Sequence, residues 1–100
     1  MTGSPTVTGF PPIADDRARV LILGSLPSVA SVQAHQYYGH PRNAFWPIMG
    51  ALFGFEPTLD YPDRCACLRE AGVAVWDVAA QADRPGSLDA DIRGASVRPN

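Results

Sequence analysis

The apolar run at residues 19–24, with the sequence RVLILG, most constrains what this chain can fold into. A short continuous run of Val, Leu and Ile that ends in Gly is typical of a strand buried on both faces of a parallel sheet. A second run of the same character, VAVWDVA, lies at residues 73–79. Parallel strands need a long crossover, and the intervening segment is long enough to hold helices. We therefore expect an α/β fold with an open parallel sheet flanked by helices.

Helices are predicted between and after these strands. Residues 43–54 (NAFWPIMGALFG) combine apolar side chains with Pro47, which fits only in the first turn of a helix and so puts Asn43 near the N-cap. Residues 61–72 (YPDRCACLREAG) have a Pro near the start and a Gly at the end, as helices often do. A short helix is expected over residues 87–94 (SLDADIRG).

Composition limits the chain to one small globular domain. It has 100 residues, of which 46% are hydrophobic and 18% charged. We expect residues 1–14, rich in Gly, Ser, Thr and Pro, to be a flexible lead-in, and residues 15–100 to belong to a single folded domain. No apolar run is long enough to span a membrane, and no basic segment followed by an apolar one resembles a signal peptide. A cytoplasmic protein of bacterial type, without membrane contact, is predicted.

The charged and metal-binding side chains exclude several chemistries. The chain contains no lysine, which excludes a lysine Schiff base and a lysine-containing phosphate loop. Segment 17–55 has arginines but no acidic residue, which suits an anionic ligand but also fits chance clustering. Cys65 and Cys67 are expected to be ordinary thiols, and neither His35 nor His40 has a Cys or acid nearby. No metal and no cofactor are predicted.

The segment from Gly24 to Arg42 is predicted to be a long loop that carries the binding site. Connections in α/β folds usually have about 2–6 residues, and longer ones are usually functional. Ligands of such sheets bind outside the carboxyl ends of the strands. The turn at residues 24–28 (GSLPS) combines close backbone approach at Gly24 with a rigid Pro27, so its N–H groups suit an anion or a carbonyl edge. A plain strand-to-helix turn explains the same residues, and both interpretations stay open.

The block at residues 36–46 (QYYGHPRNAFW) mixes aromatic and polar side chains. Tyr37 and Tyr38 either offer flat faces for stacking or pack in the core. Asn43 either reads a base edge, positions a water, or only caps the helix. Arg42 is either solvated or touches a phosphate.

These segments resemble the uracil-DNA glycosylase superfamily, most closely its hypoxanthine (deoxyinosine) DNA glycosylase branch. The resemblance is carried by RVLILGSLPS, QYYGHPRNAFW, AGVAVWDV and GSLDADIR, and it extends from about Arg19 to Asn100. It implies a three-layer αβα fold of which residues 15–100 are the N-terminal portion. Members continue with a Ser- and Pro-containing loop that enters the minor groove, so this chain is expected to be truncated at its C-terminus.

The branch assignment depends on Leu26. Most branches place an Asp or Asn in this first motif to act on the attacking water, and the mismatch-specific branch has an Asn at the position of Leu26. The hypoxanthine branch also lacks the polar residue and is thought to use the Asn of the HPRN block, which is Asn43 here. The four cysteines that hold an iron–sulfur cluster in another branch are not in the sequence.

The resemblance implies a monofunctional DNA glycosylase. It would flip a deaminated base, hypoxanthine or uracil, out of double- or single-stranded DNA and hydrolyse its N-glycosidic bond, leaving an abasic site. Asn43 would be catalytic, Tyr38 would stack on the base, and His40 would bond to the departing base. The substrate-binding candidates are Gly24, Ser25, Leu26, Pro27, Tyr38, His40 and Phe45. Ser28 and Arg42 are candidates for DNA phosphates, and a monomer is expected.

Two other classes of function stay open. A catalytically inactive or degenerate DNA-binding domain of the same fold is favoured by Leu26 and by the missing second motif. It would bind DNA in a salt-sensitive way without releasing a base. A small-molecule nucleobase binder would bind free hypoxanthine tightly and duplex DNA hardly at all.

Overall fold

The computed structural model describes residues 5–100, which form two small sheets and three α-helices. The strands are β1 (Thr6–Thr8), β2 (Val20–Gly24), β3 (Val73–Asp77), β4 (Ala79–Asp83) and β5 (Arg98–Pro99). The helices are α1 (Val29–Ala34), α2 (Phe45–Phe53) and α3 (Tyr61–Glu70), and one-turn 3-10 helices span Asp89–Asp91 and Gly94–Ser96.

Strands β2 and β3 pair in parallel, as the two apolar runs predict. Val20 lies opposite Val73 and Gly24 lies opposite Asp77. Helices α2 and α3 lie in the crossover that joins these strands, which confirms the α/β class. Because parallel strands end at the same edge, the turn after Gly24 lies next to the end of β3.

Strand β2 was predicted to be buried on both faces, and this prediction was wrong. The side chains of Leu21 and Leu23 are 52% and 58% exposed. Within residues 5–100, β2 pairs with β3 alone, so its other edge and one of its faces are uncovered.

The segment that precedes β2 belongs to the folded domain, which corrects the prediction of a flexible lead-in over residues 1–14. Thr6–Thr8 pairs antiparallel with β4, and Val7 is buried. Ile13 is also buried and exchanges two backbone hydrogen bonds with Val75, of 3.0 and 2.8 Å. Residues 1–4 lie outside the described residues. The second sheet, with β4 between β1 and β5, was not predicted.

Two further local predictions were wrong. The supposed long loop from Gly24 to Arg42 contains helix α1, which begins after Ser28 because the Ser28 Oγ accepts a hydrogen bond from the Ser31 N–H. The expected helix over residues 87–94 is a 3-10 turn, followed by a second one.

Helix α2 begins where its proline predicts. Pro47 lies in the first turn, and Ala44 is the N-cap. Asn43 lies one residue earlier, and its Oδ1 accepts the N–H of Phe45 at 2.8 Å. The helix ends at Gly54, whose φ of +77° is in the left-handed region.

The main core fixes the block that precedes α2. The Trp46 Nε1 donates to the backbone carbonyl of Tyr37 at 2.8 Å, which satisfies the indole N–H in the core. The guanidinium of Arg64 lies over the Trp46 ring, 4.7 Å from its centroid. The buried members of this core are Ile13, Tyr37, Trp46, Met49, Cys65, Leu68, Val73 and Val75. Residues 37–46 are therefore held at both ends of the block by packing.

Candidate active site

A cavity of about 250 Å³ opens at the carboxyl ends of β2 and β3. It lies where the parallel pair predicts a binding site. Its lining residues are Gly24, Ser25, Leu26, Pro27, Ser28, Ser31, Tyr37, Tyr38, Asn43, Asp77, Ser87 and Asp89. The turn at residues 24–28 and the residues Tyr38 and Asn43 thus come together, although they are distant in sequence.

The turn after β2 is held by bonds from both of its sides. The Ser25 Oγ donates to Asp89 Oδ1 at 2.6 Å. Leu26 is buried in a second, smaller apolar cluster, whose other buried members are Val7, Ala79 and Ala82. The backbone carbonyl of Pro27 accepts a hydrogen bond from the Arg84 guanidinium. The Ser28 hydroxyl caps α1, so its oxygen already accepts a hydrogen bond from the backbone of that helix. The turn is therefore a rigid wall of the cavity.

The two adjacent tyrosines have different environments. Tyr37 is 2% exposed and donates from its hydroxyl to the carbonyl of Phe10 at 3.1 Å, so it is a core residue. Burial raises the pKa of Tyr37 to about 12, and the nearby Asp77 carboxylate adds to this. Tyr38 has a φ of +53° and is half-buried. Its ring stacks on that of Phe45, with centroids 4.0 Å apart and planes at 18°.

Of the two alternatives left open for Tyr37, the structure favours packing in the core, because its ring is enclosed there. Tyr38 lines the cavity, and Phe45 supports its ring from behind rather than lining the cavity itself.

Asn43 is exposed and lines both this cavity and a neighbouring one. Its Oδ1 accepts the Phe45 N–H with one of two lone pairs, which leaves the second lone pair and both Nδ2 hydrogens for a ligand. His40 and Arg42 are exposed, and the Nδ1 of His40 accepts the backbone N–H of Arg42 at 3.0 Å. His40 lines the neighbouring cavity and not the one at the strand ends.

Asp77 is a cavity residue that the sequence reasoning missed. It ends β3, is 4% exposed, and its Oδ2 is buried without a hydrogen-bond partner among residues 5–100. Burial raises the pKa of the Asp77 carboxyl above its ordinary value, and Asp89 raises it further while Arg84 opposes the shift. The available signal was an acidic residue inside the apolar run VAVWDV.

Arg84 was also missed, and it connects the two loops beside the cavity. It is 1% exposed, and besides Pro27 it binds the carbonyl of Gly86 through Nε at 2.8 Å. Its Nη1 lies 3.8 Å from Asp89 Oδ1, which is an ion pair without a hydrogen bond. The guanidinium therefore fixes the turn at residues 24–28 against residues 84–89.

Within the part of the chain that the structure describes, no three His, Cys, Asp or Glu side chains lie close enough to hold a metal ion. None of the described helices is long and apolar enough to cross a membrane.

Comparison with known proteins found relatives of one kind. A hypoxanthine DNA glycosylase from Methanosarcina barkeri is 39% identical over 90 residues, which cover 89% of this chain and 57% of that protein. One from Methanosarcina acetivorans is 39% identical over 85 residues, covering 84% of this chain and 54% of that protein. The chain thus spans just over half the length of these curated relatives. No family model matches it.

A solved structure agrees with these relatives. The solution NMR structure of a candidate uracil DNA glycosylase from Methanosarcina acetivorans superimposes with a TM-score of 0.80 at 35% identity. The match covers 94% of this chain and 59% of that one. With the RVLILGSLPS and HPRNAFW segments placed around one cavity, the chain belongs to the uracil-DNA glycosylase superfamily, in its hypoxanthine branch.

Proposed function

We propose that this chain carries the base-binding part of a monofunctional DNA glycosylase that releases hypoxanthine, and also uracil, from DNA. The observation that carries the proposal is the cavity at the strand ends, where Asn43, Tyr38 and the turn at residues 24–28 converge. The hypoxanthine DNA glycosylases that the chain resembles support the same chemistry.

The aromatic pair supports capture of an extruded base. Removing a base from the duplex stack costs a few kcal/mol, and least when the base is mispaired. Stacking on an aromatic ring returns about 1–3 kcal/mol per base. Phe45 holds the Tyr38 ring by stacking, so that ring offers its face without first losing conformational freedom.

Asn43 is the proposed catalytic residue. Cleavage of a glycosidic bond passes through an oxocarbenium-like state, so stabilising developing charge and placing water are the main tasks. The Oδ1 of Asn43 is fixed by the Phe45 N–H, which orients the amide at the start of α2. The second lone pair of Oδ1 then positions a water at the anomeric carbon or stabilises the sugar cation. An amide is a weak base, so modest rates are expected.

Three further side chains are proposed to contact the DNA. Arg42 is exposed next to Asn43 and suits a phosphate of the flipped nucleotide. Ser28 would reach a phosphate only by sharing the hydroxyl that caps α1. His40 lies in the neighbouring cavity, so its contact with the departing base requires movement of the loop. The cytoplasmic location and the monomeric state stay predictions.

The decisive experiment is a base-release assay. Duplex and single-stranded oligonucleotides with one inosine or one uracil are incubated with the protein and then treated with alkali, which cuts at abasic sites. We expect cleavage after alkali only, since the chain has no lysine for a Schiff base. DNA binding without base release would instead favour the inactive DNA-binding domain, and no binding of DNA with tight binding of free hypoxanthine would favour the nucleobase binder.

A further inference from the structure

The neighbouring cavity has a volume of about 330 Å³ and shares Tyr38 and Asn43 with the cavity at the strand ends. Its lining includes Arg64 and His40 but, among the described residues, no Asp or Glu. Most of this lining lies in segment 17–55, which has no acidic residue. The cavity at the strand ends, in contrast, is lined by two aspartates. Of the two, the neighbouring cavity is therefore the one whose charge suits an anion.

The guanidinium of Arg64 is held in one orientation by the fold. Its Nε donates to the backbone carbonyl of Leu59 at 2.9 Å, and its Nη2 donates to Gln36 Oε1 at 3.2 Å. It also lies 4.7 Å from the centroid of the Trp46 ring and 5.4 Å from that of Tyr61. These bonds use two of the five N–H groups of an arginine, and both hydrogens on Nη1 have no partner among residues 5–100. A guanidinium that is positioned in advance loses little conformational freedom when it binds a ligand.

Two more side chains that line this cavity have an unused donor. The Nδ1 of His40 accepts the Arg42 N–H, so the neutral imidazole carries its hydrogen on Nε2. The Oε1 of Gln36 accepts from Arg64, and the Nε2 of Gln36 has no partner among the described residues. Donors thus come from three side chains around one cavity. A phosphate oxygen accepts several hydrogen bonds at once and is bound most strongly by charged donors, so it matches this set.

We propose that the neighbouring cavity binds a backbone phosphate of the DNA beside the flipped nucleotide, with Arg64 as its charged ligand. This inference rests on the proposed function. The sugar joins the base to its phosphates, and Asn43, the residue proposed to act at the sugar, lines both cavities. A nucleotide whose base lies in the first cavity therefore brings its backbone to the second. The contact fixes the register of the strand, because phosphate contacts position a nucleic acid while base contacts select it.

Methylphosphonate substitution tests this contact, because it removes the charge of one phosphate at a time. Duplexes with one 2′-fluoro deoxyinosine, in which the fluorine slows cleavage, carry the substitution at each phosphate near that nucleotide in turn. Binding is measured by fluorescence anisotropy. We expect one position at which the substitution weakens binding of the wild-type chain about 10-fold or more.

The variant Arg64→Gln should respond differently to the same duplexes. At the sensitive position the substitution should have almost no further effect, because the charged ligand is already gone. The slope of log K against log salt should also be shallower by about 0.9. A methylphosphonate effect that is equal in Arg64→Gln and wild type at every position overturns the inference.

Arg69→Gln is the matched control, since Arg69 lies on the same helix, is half-buried like Arg64 and does not line the cavity. It removes the same charge and should keep the wild-type pattern, so equal changes in the two variants overturn the inference. A merely structural role of Arg64 over the Trp46 ring would weaken binding to all duplexes by one factor and leave the salt slope unchanged. If Arg64→Gln does not fold by circular dichroism, His40→Ala at an exposed position replaces it, and an undiminished methylphosphonate effect there overturns the inference.

Two further comparisons identify the source of the phosphate and keep the two proposals separate. Inorganic phosphate that binds the wild type but not Arg64→Gln, with no sensitive methylphosphonate position, would show a site for free phosphate and overturn the inference. Base release from an unmodified inosine duplex without a sensitive position defeats this inference alone. A sensitive position without base release defeats the enzyme proposal alone, and no binding to any duplex defeats both.

Discussion

Gly24 and Asp77 lie opposite each other at the carboxyl ends of β2 and β3, and the missing side chain of Gly24 leaves the space that the Asp77 carboxyl occupies. A Cβ atom on Gly24 would overlap with Asp77 Oδ1 and would lie 3.4 Å from the Tyr38 hydroxyl. The parallel register therefore determines both the shape of the cavity and the position of its acidic group.

The first prediction concerns this close approach. Gly24→Ala should displace the Asp77 carboxyl into the cavity and lower base release at least about tenfold, which corresponds to about 1.4 kcal/mol of lost transition-state binding. Release of hypoxanthine from an inosine duplex measures the effect. Gly94→Ala is the matched control, because a Cβ there meets no atom within 4 Å and should leave the rate as it is. Equal rates in the two variants would contradict the prediction.

The second prediction separates the two roles of Asn43. Asn43→Ala should lower base release by about 100-fold or more, as loss of one well-placed polar group in an active site typically does. It should also cost about 0.5–2 kcal/mol of stability, because the Phe45 N–H loses its acceptor.

Asn43→Asp keeps an acceptor for the Phe45 N–H and should therefore unfold in urea at about the wild-type midpoint. Comparing both variants by urea denaturation and by alkali cleavage separates the hydrogen bond to Phe45 from catalysis. Normal base release by Asn43→Ala would remove Asn43 from the catalytic assignment, whatever its stability.

The third prediction tests the buried guanidinium. Arg84→Ala leaves the carbonyl of the buried Pro27 without a donor, which should cost about 1–3 kcal/mol, while the carbonyl of the exposed Gly86 can bind water instead. Asp89→Asn removes the charge of the exposed partner of the ion pair but keeps an acceptor for the Ser25 hydroxyl, so it should cost no more than about 1 kcal/mol. The free energies of unfolding of the two variants give the comparison. Similar losses would show that Arg84 acts through Asp89 rather than through the turn.

The fourth prediction is a pH dependence of stability. The pKa of Asp77 is raised in the folded chain above its ordinary value of 3.8. The folded state therefore binds a proton that the unfolded state has already lost, and stability falls as pH rises from about 4 through the raised value. Asp77→Asn cannot titrate, so its stability relative to wild type should increase over that window.

Urea unfolding at several pH values between about 4 and 7 checks this, and Asp91→Asn serves as the control for losing one negative charge. A stability difference between Asp77→Asn and wild type that does not vary with pH would contradict the assignment of a raised pKa.

The parts of the fold that the sequence predicted are those with local signals. The parallel pair follows from two continuous apolar runs, and α2 follows from its proline position. Strand β4 has the sequence AAQAD, whose small and polar residues carry no strand signal, so its antiparallel pairing depends on tertiary contacts. Helix α1 has six residues, too few to show a helical period.

The residues of the candidate site also divide into those with a local sequence signal and those without one. Tyr38 and Asn43 were found because aromatic and polar residues are crowded into one block after a strand. Arg84 lies in the sequence DRPG, which is typical of an exposed turn, and its burial depends on residues far away in the chain. Asp77 was passed over because an acid at the end of a strand is unremarkable until the register places Gly24 opposite it.

The backbone at Tyr38 is left-handed, with φ of +53°. The two neighbouring tyrosines lie in different surroundings, Tyr37 in the core and Tyr38 at the cavity. A non-glycine residue in the left-handed region costs about 1–2 kcal/mol, and the packing of the buried Tyr37 beside it helps to offset that cost. For directed evolution of base preference, position 38 is consequently a suitable position to randomise, while position 37 is best left constant. In libraries that vary both positions, most variants would not fold, because they would also replace the buried Tyr37.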